Sequence, residues 1–215
     1  MSKKIGILGS GMVGDALAKG FLACGYSVVR GSRDPKKLSS WKETCGPKAQ
    51  AVLFEEVSKH ADTIVLAVKG SVAEDVLRIC KPDALAGKII LDATNPIADV
   101  PPQHGVLSFF TTHQLSLMER LQKLAPQAHF VKAFSCVGSA HMFQPSFEQK
   151  PSMFICGNSE HAKNVASTIL HEFGWEVEDM GTVEAARAIE PLCMLWCLPG
   201  FRNNSWNHAF RLMKK

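Results

Sequence analysis

The sequence predicts an α/β protein with a Rossmann-type, doubly wound, mostly parallel sheet and a short C-terminal helical appendage. Short apolar runs such as KIGILG and TIVLAV are bounded by glycine or polar residues, as buried parallel strands usually are. Stretches with helical spacing of apolar residues alternate with these runs, which is typical of βαβ units. The first run leads directly into GSGMVG, a tight strand-to-helix turn.

Each element follows from its local pattern. The first strand is predicted at 4–9, and apolar residues at helical spacing predict a helix over 12–24 that Gly25 ends. Asp34 and Pro35 predict the start of another helix, because aspartate caps a helix and proline fits its first turn. The other predicted strands are 26–31, 48–52, 63–68, 88–92, 129–134, 152–157 and 175–179; the other helices are 36–43, 54–60, 72–80, 114–124, 161–173, 182–198 and 204–214; and 99–113 is predicted as loop.

Composition narrows the classes of function. The net charge of +4 is mild, and the one dense basic group is Arg30, Arg33, Lys36 and Lys37, so we expect no nucleic-acid partner. No secretory signal is evident, and no apolar run reaches the roughly 18 residues that span a bilayer, so we expect no membrane partner. Seven cysteines, an odd number without a CxxC pair, favour a reducing, cytoplasmic setting.

The first turn predicts a dinucleotide site. Gly9 would make the tight turn, Gly11 would let a pyrophosphate approach the backbone, and Gly14 would allow close packing of helix on strand. The backbone amides from Ser10 through Met12 and Val13, at the helix N-terminus, would face the phosphates.

The end of the second strand predicts which dinucleotide binds. An NAD site places an acidic residue about twenty positions after the glycines, where it holds the ribose 2′-hydroxyl. Here Ser32 and Arg33 follow instead, with Lys37 close behind and Lys36 as an alternative, while Asp34 is committed to capping. A hydroxyl, a guanidinium and an ammonium suit a 2′-phosphate, so the sequence predicts NADP(H). We therefore expect residues 1–180 to form an NADP-binding domain, with 181–215 a helical appendage of it.

Five motifs carry a family resemblance: GILGSGMVG, VVRGSRDPKK, AGKIILDATNP, VKAF and MFICGNSEHAKNVA. In this order they resemble the coenzyme F420-dependent NADP oxidoreductase family, and equally the NADPH-binding domain of the STEAP metalloreductases, over residues of about 3 to 200. The resemblance implies hydride transfer between NADP(H) and a flavin or 5-deazaflavin, which would be a small-molecule electron acceptor.

Hydride transfer between stacked rings needs proximity more than an acid or base, so no catalytic side chain and no metal is expected. Ligands of such sheets bind at the carboxyl ends of the strands. The cofactor is expected there against Ala67, Val68, Lys69, Asn95, Pro96 and the backbone of Ala133, and the acceptor against Pro96, Phe134, Trp196 and Pro199.

Alternatives stay open. The chain also suits a reductase of small acids or imines, although few residues remain for the large helical domain of those enzymes. A non-catalytic NADPH-binding sensor would share the first half of the site. The apolar C-terminal helix, with Leu192, Leu195, Trp196 and Leu198, suits a homodimer interface or a cover for its own sheet equally well.

Overall fold

The computed structural model describes residues 3–215. Its main sheet has six parallel strands in the order β3-β2-β1-β4-β5-β6, the arrangement of a doubly wound dinucleotide-binding sheet. The fold class predicted from the sequence is confirmed. The strands are β1 (Lys4–Leu8), β2 (Ser27–Ser32), β3 (Ala49–Leu53), β4 (Thr63–Leu66), β5 (Ile89–Asp92) and β6 (His129–Lys132).

A second, two-stranded parallel sheet lies beside the first. It pairs β7 (Ser152–Ile155) with β8 (Glu176–Asp179). A single antiparallel bridge between Lys132 and Cys156 connects it to β6. The chain therefore carries its sheet structure in two pieces, joined at the edge strand of the larger one.

Helices cover both faces of the main sheet because successive strand residues point to opposite sides. Ile5 and Ile7 of β1 enter one apolar cluster, while Leu8 enters the other. The α-helices are α1 (Met12–Ala23), α2 (Ser39–Cys45), α3 (Ala73–Cys80), α4 (Leu117–Leu124), α5 (Glu160–Glu172), α6 (Ala186–Ile189) and α7 (Leu192–Asn203). None of the helices formed by residues 3–215 has the length and apolar character needed to cross a bilayer.

One predicted helix, 54–60, is a 3₁₀ helix, and another, 36–43, begins as 3₁₀ before it continues as α2. Asp34 does cap the predicted start, since its side chain accepts a hydrogen bond from the Lys36 amide, but residues Pro35–Leu38 form a 3₁₀ turn before α2. Residues Phe54–Lys59 are likewise 3₁₀. Short connections between strands favour this tighter helix, which spans more length per residue.

The C-terminal prediction was wrong in two respects. Residues 182–198 do not form one helix: a 3₁₀ turn (Val183–Ala185), α6 and α7 share this segment, and α7 continues through Pro199 to Asn203. The predicted helix at 204–214 is absent, because this tail bonds elsewhere. The Phe210 carbonyl accepts from the Ser152 amide of β7 at 2.9 Å, so the tail lies along the small sheet.

Candidate functional site

The glycine turn after β1 has the close contacts that its sequence predicts. Gly9 has φ +149°, and a methyl group added there would lie 2.2 Å from the Ala67 carbonyl oxygen. A methyl group at Gly14 would lie 2.6 Å from the Gly9 carbonyl oxygen. Gly11, by contrast, faces open space, and as N-cap of α1 it supplies no side chain to the first amides. The turn therefore leaves the helix N-terminus free for an anion.

Arg30 lies behind this turn rather than beside the ligand groove. Its side chain is 1% exposed and pairs with Asp15 at 3.2 Å. One terminal nitrogen lies 3.4 Å from each of the Gly9 and Gly11 carbonyl oxygens, and the guanidinium stacks on Trp41 at 4.8 Å. The basic group of the sequence thus divides, with Arg30 directed inward and Arg33 outward.

The predicted 2′-phosphate residues line one cavity of about 490 Å³. Ser32, Arg33 and Lys37 lie at one end of it, and Ser10 and Gly11 belong to the same lining. Arg33 and Lys37 are exposed, and neither forms an ion pair within residues 3–215. The Ser32 hydroxyl oxygen accepts from the Asp34 amide at 3.2 Å, so its own hydrogen stays free to donate.

A second cavity, of about 710 Å³, adjoins the first. Four residues belong to both linings: Gly11, Ala67, Val68 and Lys69. The second cavity then extends past Met12 and Val13 to the segment after β5, where Asn95, Ile97, Ala98, Val100 and Pro101 line it. Together the two cavities form a groove across the carboxyl ends of β1, β2, β4 and β5.

Two contacts hold the wall of the second cavity. The side-chain amide nitrogen of Asn95 donates to the Ser135 carbonyl at 2.7 Å and links the loop after β5 to the loop after β6. Gly70 packs against the Asn95 backbone, where an added methyl group would lie 2.0 Å from the carbonyl oxygen. At the rim, Lys69 pairs with Asp99 at 3.5 Å, and both side chains are largely exposed.

A buried ion cluster, which the sequence analysis did not predict, lies next to the loop that follows β5. Lys132 of β6 is fully buried and lies 2.6 Å from Asp92 and 2.9 Å from Glu190. It also donates to the Thr94 carbonyl at 3.0 Å. Burial alone would lower the pKa of Lys132, but the two carboxylates outweigh it and raise the pKa. The Glu190 carboxylate additionally accepts from the Leu117 and Met118 amides and so caps α4.

Several expected contacts do not reach the groove. The Phe134 ring is 1% exposed and packs on Phe173 in the core, so it cannot form a wall for an acceptor. Ala133 is fully buried, and its amide already donates to the Asp92 carbonyl, so that amide is not free for a carboxamide. Pro96 is also buried, and its carbonyl accepts from the Phe110 amide at 2.9 Å.

The C-terminal helix does not supply the expected wall either. Trp196 is 7% exposed and packs over Gly138, where an added methyl group would lie 2.3 Å from its ring. Its indole nitrogen donates to the His208 carbonyl at 2.9 Å, so the ring holds the C-terminal tail. Pro199 lies inside α7, and neither residue lines the two cavities of the groove. Asp99, Val100 and Pro101, which do line the second cavity, were predicted only as part of a loop.

The site holds no cluster typical of metal binding. Throughout residues 3–215 no group of three or more histidine, cysteine, aspartate or glutamate side chains could hold a metal ion. All seven cysteines are free thiols. The groove therefore offers backbone amides, a few cations and apolar walls, a set that suits an anionic dinucleotide.

Comparison with known families agrees with the geometry. Residues 4–96 match the family model described as NADP oxidoreductase, coenzyme F420-dependent. This stretch runs from β1 to the loop after β5 and contains the glycine turn, Arg33 and Asn95. The resemblance predicted from the sequence motifs is confirmed, and the match supports NADP(H) as the cofactor.

Three relatives extend the likeness beyond that stretch. The chain is 32% identical to rat metalloreductase STEAP3 over 91% of its length, but it spans only 38% of that protein, and similarly little of the human and mouse STEAP2 metalloreductases. It is 26% identical to the F420-dependent NADP reductase of Methanocaldococcus jannaschii, with 89% of this chain and 90% of that one covered. A solved structure from Arthrobacter sp. FB24, described as an F420-dependent NADP-reductase, superposes with a TM-score of 0.91 at 27% identity, covering 98% and 99% of the two chains. The chain is thus similar to NADP-dependent oxidoreductases along nearly all of its length.

Proposed function

Starting from a chain whose residues 4–96 match the coenzyme F420-dependent NADP oxidoreductase model, we propose that it transfers a hydride between NADP(H) and a flavin or 5-deazaflavin acceptor. One observation carries this proposal. The cavity that holds Ser32, Arg33 and Lys37 adjoins the apolar cavity at Asn95–Pro101 through four common lining residues. The groove thus has a cationic end for the adenosine phosphates and an apolar end for the reacting rings.

The residues of the groove divide the work of binding. The free amides of Ser10, Met12 and Val13 would bind the pyrophosphate, and Arg33, Lys37 and Ser32 the 2′-phosphate. Ala67 and Val68 would lie under the cofactor between these ends. When bound, NADPH supplies the hydride, so the protein's contribution is to position two rings and exclude water.

The second cavity determines the proposed class of acceptor. Its walls are mainly apolar and include Ile97, Val100 and Pro101, and Lys69 lies at its rim, where it pairs with Asp99. A flat, largely apolar ring system fits such a wall, while an anionic substituent would lie near Lys69.

The activity is tested by following absorbance at 340 nm. NADPH and NADH are each mixed with the protein and with one acceptor at a time: the deazaflavin coenzyme, FMN, FAD, a cyclic imine, and ferric chelates with and without flavin. We expect oxidation of NADPH, much faster than of NADH, with a flavin or the deazaflavin. Oxidation by the imine alone would move the chain to the imine reductases, and tight NADPH binding without oxidation would indicate a sensor.

A variant in the second cavity tests where the acceptor binds. Val100 is 53% exposed and lines this cavity, so Val100→Trp should raise the KM for the acceptor and leave the Kd for NADPH unchanged. Val106 is 48% exposed and lies outside the groove, so Val106→Trp is the matched control. Equal acceptor KM values for the two variants would contradict the placement of the acceptor in the second cavity.

Two broader proposals accompany the activity. The free thiols fit a reducing compartment, and we place the protein in the cytoplasm on that ground. Leu195 and Phe201 of α7 are 55% and 45% exposed, which suits a homodimer through this helix. Analytical ultracentrifugation of the protein checks the second point.

A further inference from the structure

Arg30 occupies the strand where dinucleotide sites usually carry an acidic residue for the ribose, yet it faces away from the groove. We propose that Arg30 is a positioning residue, which holds the glycine turn in the conformation that binds the cofactor pyrophosphate. The inference rests on the proposed function, since it assigns to Arg30 a part in binding the same cofactor. Its support lies in the contacts of the guanidinium.

The first argument is the direction of two peptide groups. In a trans peptide the carbonyl and the amide hydrogen point in opposite directions. The Gly9 and Gly11 carbonyl oxygens both lie 3.4 Å from one terminal nitrogen of Arg30, on the inner side of the turn. The amides of the same peptide groups, those of Ser10 and Met12, therefore point outward into the groove. The Gly11 peptide is also held by α1, since the Asp15 amide donates to its carbonyl at 3.0 Å, and Arg30 adds a contact to both carbonyls in the orientation that an anion requires.

The second argument is electrostatic. Asp15 lies in the first turn of α1, where its negative charge interacts favourably with the helix dipole but would repel a bound phosphate. Arg30 pairs with this carboxylate at 3.2 Å, and Lys19 pairs with it at 2.8 Å from the solvent side. The two cations more than offset the acidic side chain, so the helix N-terminus keeps its attraction for an anion.

The third argument is the rigidity of the arrangement. The guanidinium is enclosed between the turn and the face of Trp41, 4.8 Å from the ring centre. A terminal nitrogen would lie 3.4 Å from a methyl group added at Gly14, so the space has little slack. Burial lowers the pKa of Arg30, and the nearby Asp15 carboxylate opposes that shift. These contacts restrict the orientation of the guanidinium, and through it the conformation of the glycine turn.

The test compares three ligands that share only parts of the cofactor. NADPH has both the pyrophosphate and the 2′-phosphate, NADH lacks the 2′-phosphate, and adenosine 2′-monophosphate lacks the pyrophosphate. Arg30→Met keeps the length and apolar stem of the side chain but loses its donors. We expect Arg30→Met to raise the Kd for NADPH and for NADH by the same factor, roughly tenfold for the loss of oriented charge-assisted contacts. The Kd for adenosine 2′-monophosphate should not change.

Arg33→Met is the matched control, because it should give the converse pattern. Its Kd for NADPH and for adenosine 2′-monophosphate should rise, while its Kd for NADH stays unchanged. Arg30→Lys retains the charge and one donor group, so its Kd for NADPH should fall between those of the wild type and Arg30→Met. It also serves as the reporter if Arg30→Met does not fold. Isothermal titration on protein shown to be folded by circular dichroism gives all of these values.

Two results would overturn the inference alone. Arg30→Met could melt at a lower temperature yet bind NADPH and NADH as the wild type does, which would make Arg30 purely structural. Alternatively, Arg30→Lys could bind all three ligands as the wild type does. A wild-type protein that binds neither NADPH nor NADH would instead overturn the proposed function, and the inference with it.

Discussion

At the scale of single residues, we propose that Arg33 decides between the two nicotinamide cofactors. Its exposed guanidinium lines the first cavity together with Ser32 and Lys37. Arg33→Ala should weaken the binding of NADPH by about 1.5–3 kcal/mol, roughly 10- to 150-fold in Kd, because a charge-assisted contact to a phosphate is lost. NADH has no such phosphate and should bind almost unchanged. Fluorescence titration of each cofactor measures both constants.

Lys36 provides the control for Arg33. It belongs to the same basic group of the sequence, but it does not line the cavity that contains Arg33 and Lys37. Lys36→Ala should therefore leave the ratio of the NADPH and NADH constants close to that of the wild type. A loss of NADPH affinity equal to that of Arg33→Ala would mean that only the general positive charge of the loop matters.

Loss of the Lys132 ammonium should lower the stability of the protein strongly. Lys132→Met would leave Asp92 and Glu190 as buried carboxylates without their cation, a situation that costs about 3–5 kcal/mol of unfolding free energy. Urea denaturation followed by circular dichroism measures the change. Lys123→Met, at an exposed position on α4, should change the unfolding free energy by less than about 0.5 kcal/mol. Equal values for the two variants would contradict this account.

Three of the residues whose contacts the sequence analysis did not predict share one property. Arg30, Lys132 and Glu190 are charged yet almost fully buried, whereas charged side chains are mostly exposed. A basic residue within an apolar strand indicates a buried partner, but its position in the chain does not name that partner. Asp15 lies 15 residues before Arg30, and Glu190 lies far beyond Lys132. Only the fold brings such pairs together.

At the scale of elements, the N-terminus of α4 joins the C-terminal segment through Glu119. Its carboxylate accepts from the Ser116 amide in a capping box and also pairs with Arg187, just inside α6. The hydrogen bond from Arg187 lowers the pKa of Glu119 from its usual 4.5 to about 2. The carboxylate is therefore more acidic in the folded protein than in the unfolded chain.

The pH dependence of stability follows from that difference. A lowered pKa contributes stability that is complete above pH 4.5 and is lost as pH falls towards 2, because only the unfolded chain then binds a proton readily. Glu119→Gln should lower the melting temperature at pH 7 and flatten its decline between these pH values. Differential scanning calorimetry checks this, with Glu148→Gln, an exposed carboxylate, as control. A parallel decline in wild type and Glu119→Gln would rule out this contribution.

Element type was predictable wherever local pattern and tertiary packing agreed. The strands β1, β4 and β5 lie within predicted apolar runs. The helix predicted at 161–173 is α5, which begins one residue earlier with Ser159 as its N-cap. The error at 182–198 has a tertiary cause. Glu190 leaves regular helix between α6 and α7 and inserts its carboxylate beneath α4. Periodicity alone does not reveal such an interruption.

At the scale of the whole molecule, the groove is the part of the site that the sequence predicted best. Ten of the twelve residues expected from the glycine turn to Lys69 line it, because local strand-to-helix turns at the carboxyl edge determine those positions; Gly9 and Gly14 instead pack against backbone. Two of the four residues of the expected acceptor wall, Trp196 and Pro199, depended on how the C-terminal segment folds back. This segment instead packs Trp196 and the tail against Gly138 and the small sheet.

The same packing bears on whether residues 181–215 belong to the domain before them. We propose that they do, since Glu190 supplies one of the two carboxylates of Lys132 and both caps of the first α4 amides. A chain ending at residue 180 would leave Lys132 buried with Asp92 alone. It would also expose the surfaces against which Ile189 and Trp196 pack in the full chain. It should therefore fail to unfold cooperatively in urea, while the full chain shows one transition. A truncated chain that keeps a sharp transition and binds NADPH would show that 181–215 is a separable unit, and it would remove the ion cluster from the account of stability.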